Sequence, residues 1–183
     1  ERLAAIAEYR DPDSGEHSTR VGELAAELAL QLGEDRVWAE ELRLAGRLHD
    51  VGKVGVPDAI LQKPGSLTDA EFEIMKTHTT VGATVFAGSR STLIQLAAEV
   101  AMSHHERWDG SGYPAGLKGE AIPLSGRLVA VADVYDALVT AHRYKHAWST
   151  PEAVSHIVAA RGTQFEPRIV DALVAVIDSR QAG

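Results

Sequence analysis

The sequence predicts an all-α fold, a bundle of six or seven helices interrupted by one long loop. Three observations carry that prediction. Apolar residues recur at helical rather than alternating spacing through most of the 183 residues. Helix start and stop signals bracket those stretches. Glycine and proline gather in two segments between them, and only Val54 to Val56 is apolar and short enough for a minor strand.

In chain order, the first helix runs from about Ser14 to Leu32, with Val21, Leu24 and Leu28 on one stripe and Gly33 as its stop. The second spans about Asp35 to Asp50, where Trp38, Leu42 and Ala45 form a stripe that ends at His49. Gly52 to Gly65 holds two prolines and three glycines and reads as a loop with a single turn of helix. Thr68-Asp69-Ala70-Glu71 has capping-box spacing and opens a helix reaching about Phe86. Another helix covers about Thr92 to Arg107. Gly110 to Pro123 contains four glycines and two prolines, too many for a helix interior, and is read as a long loop of the kind that often carries function. Helices resume from about Ser125 to Thr140, from about Thr150 with Pro151 at the first helical position, and from Pro167 to Ser179.

Composition narrows the function classes. With 45% hydrophobic residues and no linker-like shift in composition, residues 1–183 are expected to form a single domain around one core. Glu1 stands where a methionine would begin a full-length chain, so the domain is expected to be excised from a longer multidomain protein. The net charge of -8, from 26 acidic against 18 basic side chains, argues against a nucleic-acid surface. Without cysteine, disulfides and thiolate metal sites are excluded. No apolar run approaches the ~20 residues of a membrane span, and no signal-peptide pattern is present. A cytoplasmic domain with no membrane contact of its own is expected.

The histidines sit at telling places. His17 continues the stripe of Val21, Leu24 and Leu28, and His49 that of Trp38, Leu42 and Ala45. His78 shares a face with Ile74, Val81 and Val85; His104 follows Leu93, Ala97 and Val100, and His105 follows Ile94, Ala98 and Ala101. Any one alone reads as a hydrogen-bonded core histidine. Five imidazoles on the apolar faces of four helices would each carry a desolvation cost, and convergence on a metal cluster gives that cost a shared purpose. Asp50 has two oxygens that can each hold a cation and is the candidate bridge. Asp133 lies among Val129, Ala130, Val131 and Ala132, where a carboxylate needs a charged partner, either a cation or a buried arginine. Lys53, between Gly52 and Val54-Gly55, reads either as a solvated lysine or as a cation held where a phosphate binds. Together these residues point to metal-assisted phosphate chemistry.

The motifs resemble a known family. His49-Asp50, Gly52-Lys53, and Gly112-Tyr113-Pro114 preceded by His104-His105-Glu106-Arg107-Trp108-Asp109-Gly110-Ser111 are similar to those of the HD-GYP subgroup of the HD-domain phosphohydrolases. The match extends from about Tyr9 to Val174 and includes Arg10-Asp11, Gly15-Glu16-His17-Ser18, Met75-Lys76 with His78, and Ala132-Asp133 with Asp136-Ala137-Leu138. The resemblance implies an HD-domain helical bundle that hydrolyses cyclic di-GMP to pGpG, and in some members to GMP, at a centre of two or three iron or manganese ions. Carried over by position, the metal ligands are His17, His49, Asp50, His78, His104, His105 and Asp133. Asp13 is the candidate ligand for a third cation where the family often has glutamate, and its alternative is a turn or cap aspartate in Asp11-Pro12-Asp13-Ser14. The catalytic set is Asp50, Lys53 and His49. Substrate contacts fall to Lys53, Tyr113, Asp136, His142, Arg143 and Lys145. A sensor domain or a diguanylate cyclase docking on the Gly-Tyr-Pro loop is the expected protein partner.

The chain departs from the family pattern in one stretch. Where an Arg-Pro-Tyr-Arg string is usual, it carries His142-Arg143-Tyr144-Lys145. Lys145 keeps a charge but lacks the planar fork, and His142 is only partly charged near neutrality. Each lost charge-assisted phosphate contact is expected to weaken binding by ~1 to 2 kcal/mol. His146 and His156 match no ligand position, Trp38 and Trp148 read as packing residues, Trp108 reads as packing under the Gly-Tyr-Pro loop with lining of the guanine pocket as its alternative, and Glu106, Arg107 and Asp109 are expected to orient the paired histidines. Two other functions stay open at this point: a phosphohydrolase of another nucleotide, and a weakly active module that binds nucleotide or protein partners.

Overall fold

The computed structural model describes residues 14–140 and 147–182. These form eight α-helices: α1 Ser14–Gln31, α2 Arg36–Gly46, α3 Asp58–Leu61, α4 Asp69–Val85, α5 Thr92–Ser103, α6 Leu124–Val139, α7 Thr150–Ala159 and α8 Pro167–Ala182. Two 3-10 turns lie at Val51–Gly55 and Gly119–Ala121. The eighth helix beyond the predicted seven is the single turn expected inside the Gly52 to Gly65 loop. Among the described residues there is no strand, only an isolated bridge between Arg161 and Phe165.

Local chemistry sets most helix starts. Asp35 caps α2 by accepting from the Val37 and Trp38 amides at 2.8 and 3.1 Å. Reciprocal capping boxes open α4 at Thr68 and Glu71 and α7 at Ser149 and Glu152, the latter with Pro151 in the first turn. α1 closes as predicted, the Gly33 amide bonding to Leu30 O and the Glu34 amide to Ala29 O, both at 3.0 Å.

Fully buried Leu28, Leu42, Leu128, Val129, Ile169 and Leu173 mark the core. α1 lies against α2, α6 and α8, while α5 lies against α2, α4 and α6. The Val51–Gly55 turn packs on α4. One side of α1, the end of α2, the middle of α4, the end of α5 and the middle of α6 therefore face a common interior point.

One predicted face is corrected. His78 is buried, but Ile74 and Val85 are 42% and 45% exposed; its buried companions are Thr79, Gly82 and Phe86. The reason is steric. The inner side of α4 meets main chain at Gly52, where a Cβ would overlap the His78 carbonyl oxygen and the Gly82 nitrogen, so the close approach there is made by glycine while Ile74 and Val85 lie outside.

Candidate metal centre

His49, His78 and His104 each turn Nδ1 onto a carbonyl oxygen of their own helix. The partners are Gly46 O at 2.9 Å, Met75 O at 2.7 Å, and Val100 O and Ala101 O, both at 3.1 Å. A carbonyl only accepts, so Nδ1 carries the proton and Nε2 presents a lone pair. These bonds also shorten two helices relative to the sequence reading. Gly46 O is taken by His49, the following amides bond three residues back, and α2 ends at Gly46 instead of Asp50. α5 likewise ends at Ser103 with His104 as its cap, and the His105 ring lies beside that of His104, centroids 4.0 Å apart.

His17 is held differently. Its Nδ1 lies 2.6 Å from Asp136 Oδ2, and Asp136 is gripped by Arg20 through Nε at 2.6 Å and Nη2 at 3.0 Å. Nε2 is thereby aimed at Asp133 Oδ1, 3.2 Å away. His105 is fixed by ring contact, stacked on Tyr113 at 4.8 Å with 29° between planes.

The seven predicted metal ligands that fall in the described residues come together in two groups. Asp50, His78, His104 and His105 form one, and His17, His49 and Asp133 the other, with the donor atoms of each group within 4.8 Å of one another. Asp50 joins them: Oδ2 is 3.2 Å from His49 Nε2, and Oδ1 is 3.4 Å from His78 Nε2. With protons on Nδ1, these are meetings of lone pairs. His78 Nε2 and His104 Nε2 face each other at 3.3 Å, and His49 Nε2 and Asp50 Oδ1 are buried without a hydrogen-bond partner. Buried acceptors without donors cost free energy, and cations coordinated by all of them remove that cost. The residues fit a metal centre. Asp133 meets imidazoles; the arginine alternative is realised three residues on, at Asp136.

Electrostatics divide the imidazoles: burial lowers His78, His104 and His105, while the carboxylates beside His17 and His49 outweigh it and raise those two. Burial, reinforced by neighbouring imidazoles, keeps His104 well below the usual histidine range, and His105 is pushed down to about 4 mainly by burial. Both are neutral ligands at pH 7. Burial alone would raise the Asp50 carboxyl, but the Lys53 ammonium, 2.6 Å from Oδ2, and His49 hold it well below the carboxylate range. Burial opposes charge on His17 as well, yet its bonds to Asp133 and Asp136 raise it to about 9.

The long loop folds back over the paired histidines. Glu106, 4% exposed, accepts from the Ala115 and Leu117 amides at 2.7 and 3.0 Å. Asp109 Oδ1 accepts from the Ser111 amide at 2.9 Å, and Arg107 Nε donates to Ser111 Oγ at 2.8 Å. Glu106, Arg107 and Asp109 thus hold the loop, where the expectation had them orienting the histidines. Trp108 is pinned by main-chain bonds to Gln164 and Gly119 and lies under the Arg127 guanidinium, a packing role as expected. Between this loop, α4 and α6 opens a cavity of about 350 Å³, with His104, His105 and Asp133 at its inner end and Phe72, Lys76 and Tyr113 on one wall.

The remaining predicted positions divide clearly. Lys53 and Tyr113 lie at the cluster. Asp136 does not line the cavity: it is buried and occupied by His17 and Arg20, so the expectation of a substrate contact there gives way to one of orienting His17. Asp13, His142, Arg143 and Lys145 lie outside the described residues, as does His146. His156 is exposed and meets Trp148 edge-on at 5.4 Å, away from the site. Sequence reasoning missed Arg20, although its signal was present: Arg20 follows His17 by three residues as Asp136 follows Asp133.

A family model described as HD domain matches residues 1–169. The chain is 48% identical over 174 residues to a protein of Thermotoga maritima named cyclic di-GMP phosphodiesterase, covering 95% of this chain and 47% of that one. It is 47% identical over 173 residues to a cyclic di-GMP phosphodiesterase response regulator of Xanthomonas campestris, covering 94% and 46%. The chain thus spans about half the length of the curated relatives it matches. Its fold is like the crystal structure of a cyclic GMP-AMP specific phosphodiesterase of Vibrio cholerae, with a TM-score of 0.74 at 22% identity over 98% of this chain and 48% of that one. Among the described residues no helix is long and apolar enough to cross a membrane.

Proposed function

This chain belongs to the HD-domain family, in its HD-GYP branch, and from that premise we propose that it is a metal-dependent phosphodiesterase hydrolysing cyclic di-GMP to pGpG, with GMP as a further product to be tested. The observation that carries the reading is the convergence of five imidazoles and two carboxylates, with lone pairs of His49, Asp50, His78 and His104 facing one another, beside a nucleotide-sized cavity lined by His104, His105 and Asp133. Bound divalent cations, iron or manganese in this reading, would activate water for attack on phosphorus and neutralise the phosphodiester oxygens.

The chain's own residues do the rest. His78, His104 and His105 would donate through neutral nitrogens and His49 through Nε2, and Asp50 spans the two ligand groups. Lys53, already beside Asp50, places an ammonium where the non-bridging oxygens of the phosphodiester would lie. Tyr113 braces His105 with one face and borders the cavity. Asp13 as a third-cation ligand and the His142 to Lys145 stretch as a weakened phosphate grip belong to the same proposal. So do a cytoplasmic setting, expected from the sequence pattern, and a protein partner at the Gly-Tyr-Pro loop, expected from the family resemblance.

The test is a substrate panel. The chain, purified without oxygen and supplied with manganese or iron, is offered cyclic di-GMP, 3′3′-cyclic GMP-AMP, pGpG and nucleoside monophosphates. Preferred release of pGpG from cyclic di-GMP is expected. Preferred cleavage of the mixed dinucleotide would move the substrate assignment, and retention of metal without turnover of any of them would favour a binding module.

A further inference from the structure

We propose that Phe72 and Lys76 of α4, with Tyr113 of the loop, form a nucleobase clamp that selects guanine over adenine; this rests on the cyclic-dinucleotide reading above. The three side chains line one wall of the cavity whose inner end is the ligand cluster. Phe72 and Lys76 stand one helical turn apart. The Phe72 and Tyr113 rings meet edge to face, centroids 6.1 Å apart at 82°. The Lys76 ammonium lies over both, 5.0 Å from the Phe72 centroid and 5.6 Å from that of Tyr113.

Nothing in the core explains this group. Phe72 is 44% exposed at the mouth of the cavity, an aromatic surface left to solvent on a helix whose buried residues are His78, Thr79 and Gly82. The Glu73 carboxylate holds the outer side of the Lys76 ammonium at 2.6 Å, and as an exposed pair it is readily exchanged. The exposed Phe72 ring and a cation suit a flat, electron-rich ligand, while Tyr113, stacked on His105, borders them edge-on to Phe72. The ammonium has donors only. Guanine offers two acceptors, N7 and O6, on one edge, whereas adenine replaces O6 with an amino donor that the ammonium cannot bond. The Phe72 ring stacks either purine, and Lys76 distinguishes them.

The test is direct binding of GMP and AMP to the manganese-loaded chain by calorimetry, with Lys76→Met and Phe72→Leu beside the parent. Melting temperature is followed in parallel to verify that both partly exposed positions accept the change. The parent is expected to bind GMP about ten-fold more tightly than AMP, and Lys76→Met to lose most of that ratio by weakening GMP alone. Phe72→Leu is expected to weaken both nucleotides together. A Lys76→Met variant that weakens GMP and AMP equally, as loss of a phosphate contact would, overturns the proposal, and so does one that changes neither. Cyclic di-GMP turnover by the parent is scored separately. A chain that discriminates the bases but leaves cyclic di-GMP intact refutes the substrate assignment and not the clamp; turnover without discrimination refutes the clamp and not the assignment.

Discussion

His17 illustrates how a candidate metal ligand is oriented by its neighbours. Asp136 takes the proton-bearing Nδ1 and is itself fixed by Arg20, so the imidazole cannot rotate its Nε2 away from Asp133. Asp136→Asn keeps the shape and an acceptor oxygen but removes the charge that raises the basicity of the ring. Metal affinity is expected to fall by about 10- to 100-fold. The measurement is the manganese concentration that half-restores turnover in the metal-stripped variant. The melting temperature of the metal-free protein serves as control, and an unchanged manganese requirement would count against this role. Arg20 and Asp136 also mark a limit of sequence reading. Each sits three residues beyond a predicted ligand, but their meeting depends on α1 lying against α6, which no local pattern records.

Elements were legible wherever their ends are set by local chemistry. Thr68, Ser149 with Pro151, and Gly33 place the starts of α4 and α7 and the stop of α1 because caps act within a few residues. The ends of α2 and α5 were not legible, since they are decided by imidazoles that capture carbonyl oxygens so that Nε2 can face the cluster. The face of α4 was misread for a related reason. Its inner side accommodates main chain instead of branched side chains, so hydrophobicity does not identify it. The contact of the Val51–Gly55 turn with α4 is the tightest of these arrangements, because Gly52 has no room for a Cβ beside His78 O and Gly82 N. Gly52→Ala must push the turn off α4 and carry Asp50 and Lys53 with it. A loss of about 2 kcal/mol or more is expected, read as a lowered denaturation midpoint together with lost metal retention. A variant that melts with the parent would show that the contact is softer than the geometry implies.

At the scale of the molecule, five segments far apart in sequence bring their candidate ligands to one point, a convergence suggested in the sequence by imidazoles on apolar stripes, His78 excepted, whose predicted stripe is exposed at Ile74 and Val85. The division into two groups bridged by Asp50 was not fully legible, since spacing along a chain does not say which helices adjoin. The family resemblance supplied the identity of the ligands, and the geometry supplies the reason for them: acceptors without donors, buried together, in a chain that would otherwise leave them unsatisfied. The most direct test of that claim is the metal content of the anaerobically purified chain and of its Asp50→Asn variant, measured on the same samples as cyclic di-GMP turnover. About two equivalents of transition metal and turnover are expected in the parent, and loss of both in Asp50→Asn. Turnover by a metal-free parent, or an Asp50→Asn variant that stays loaded and active, would contradict that claim.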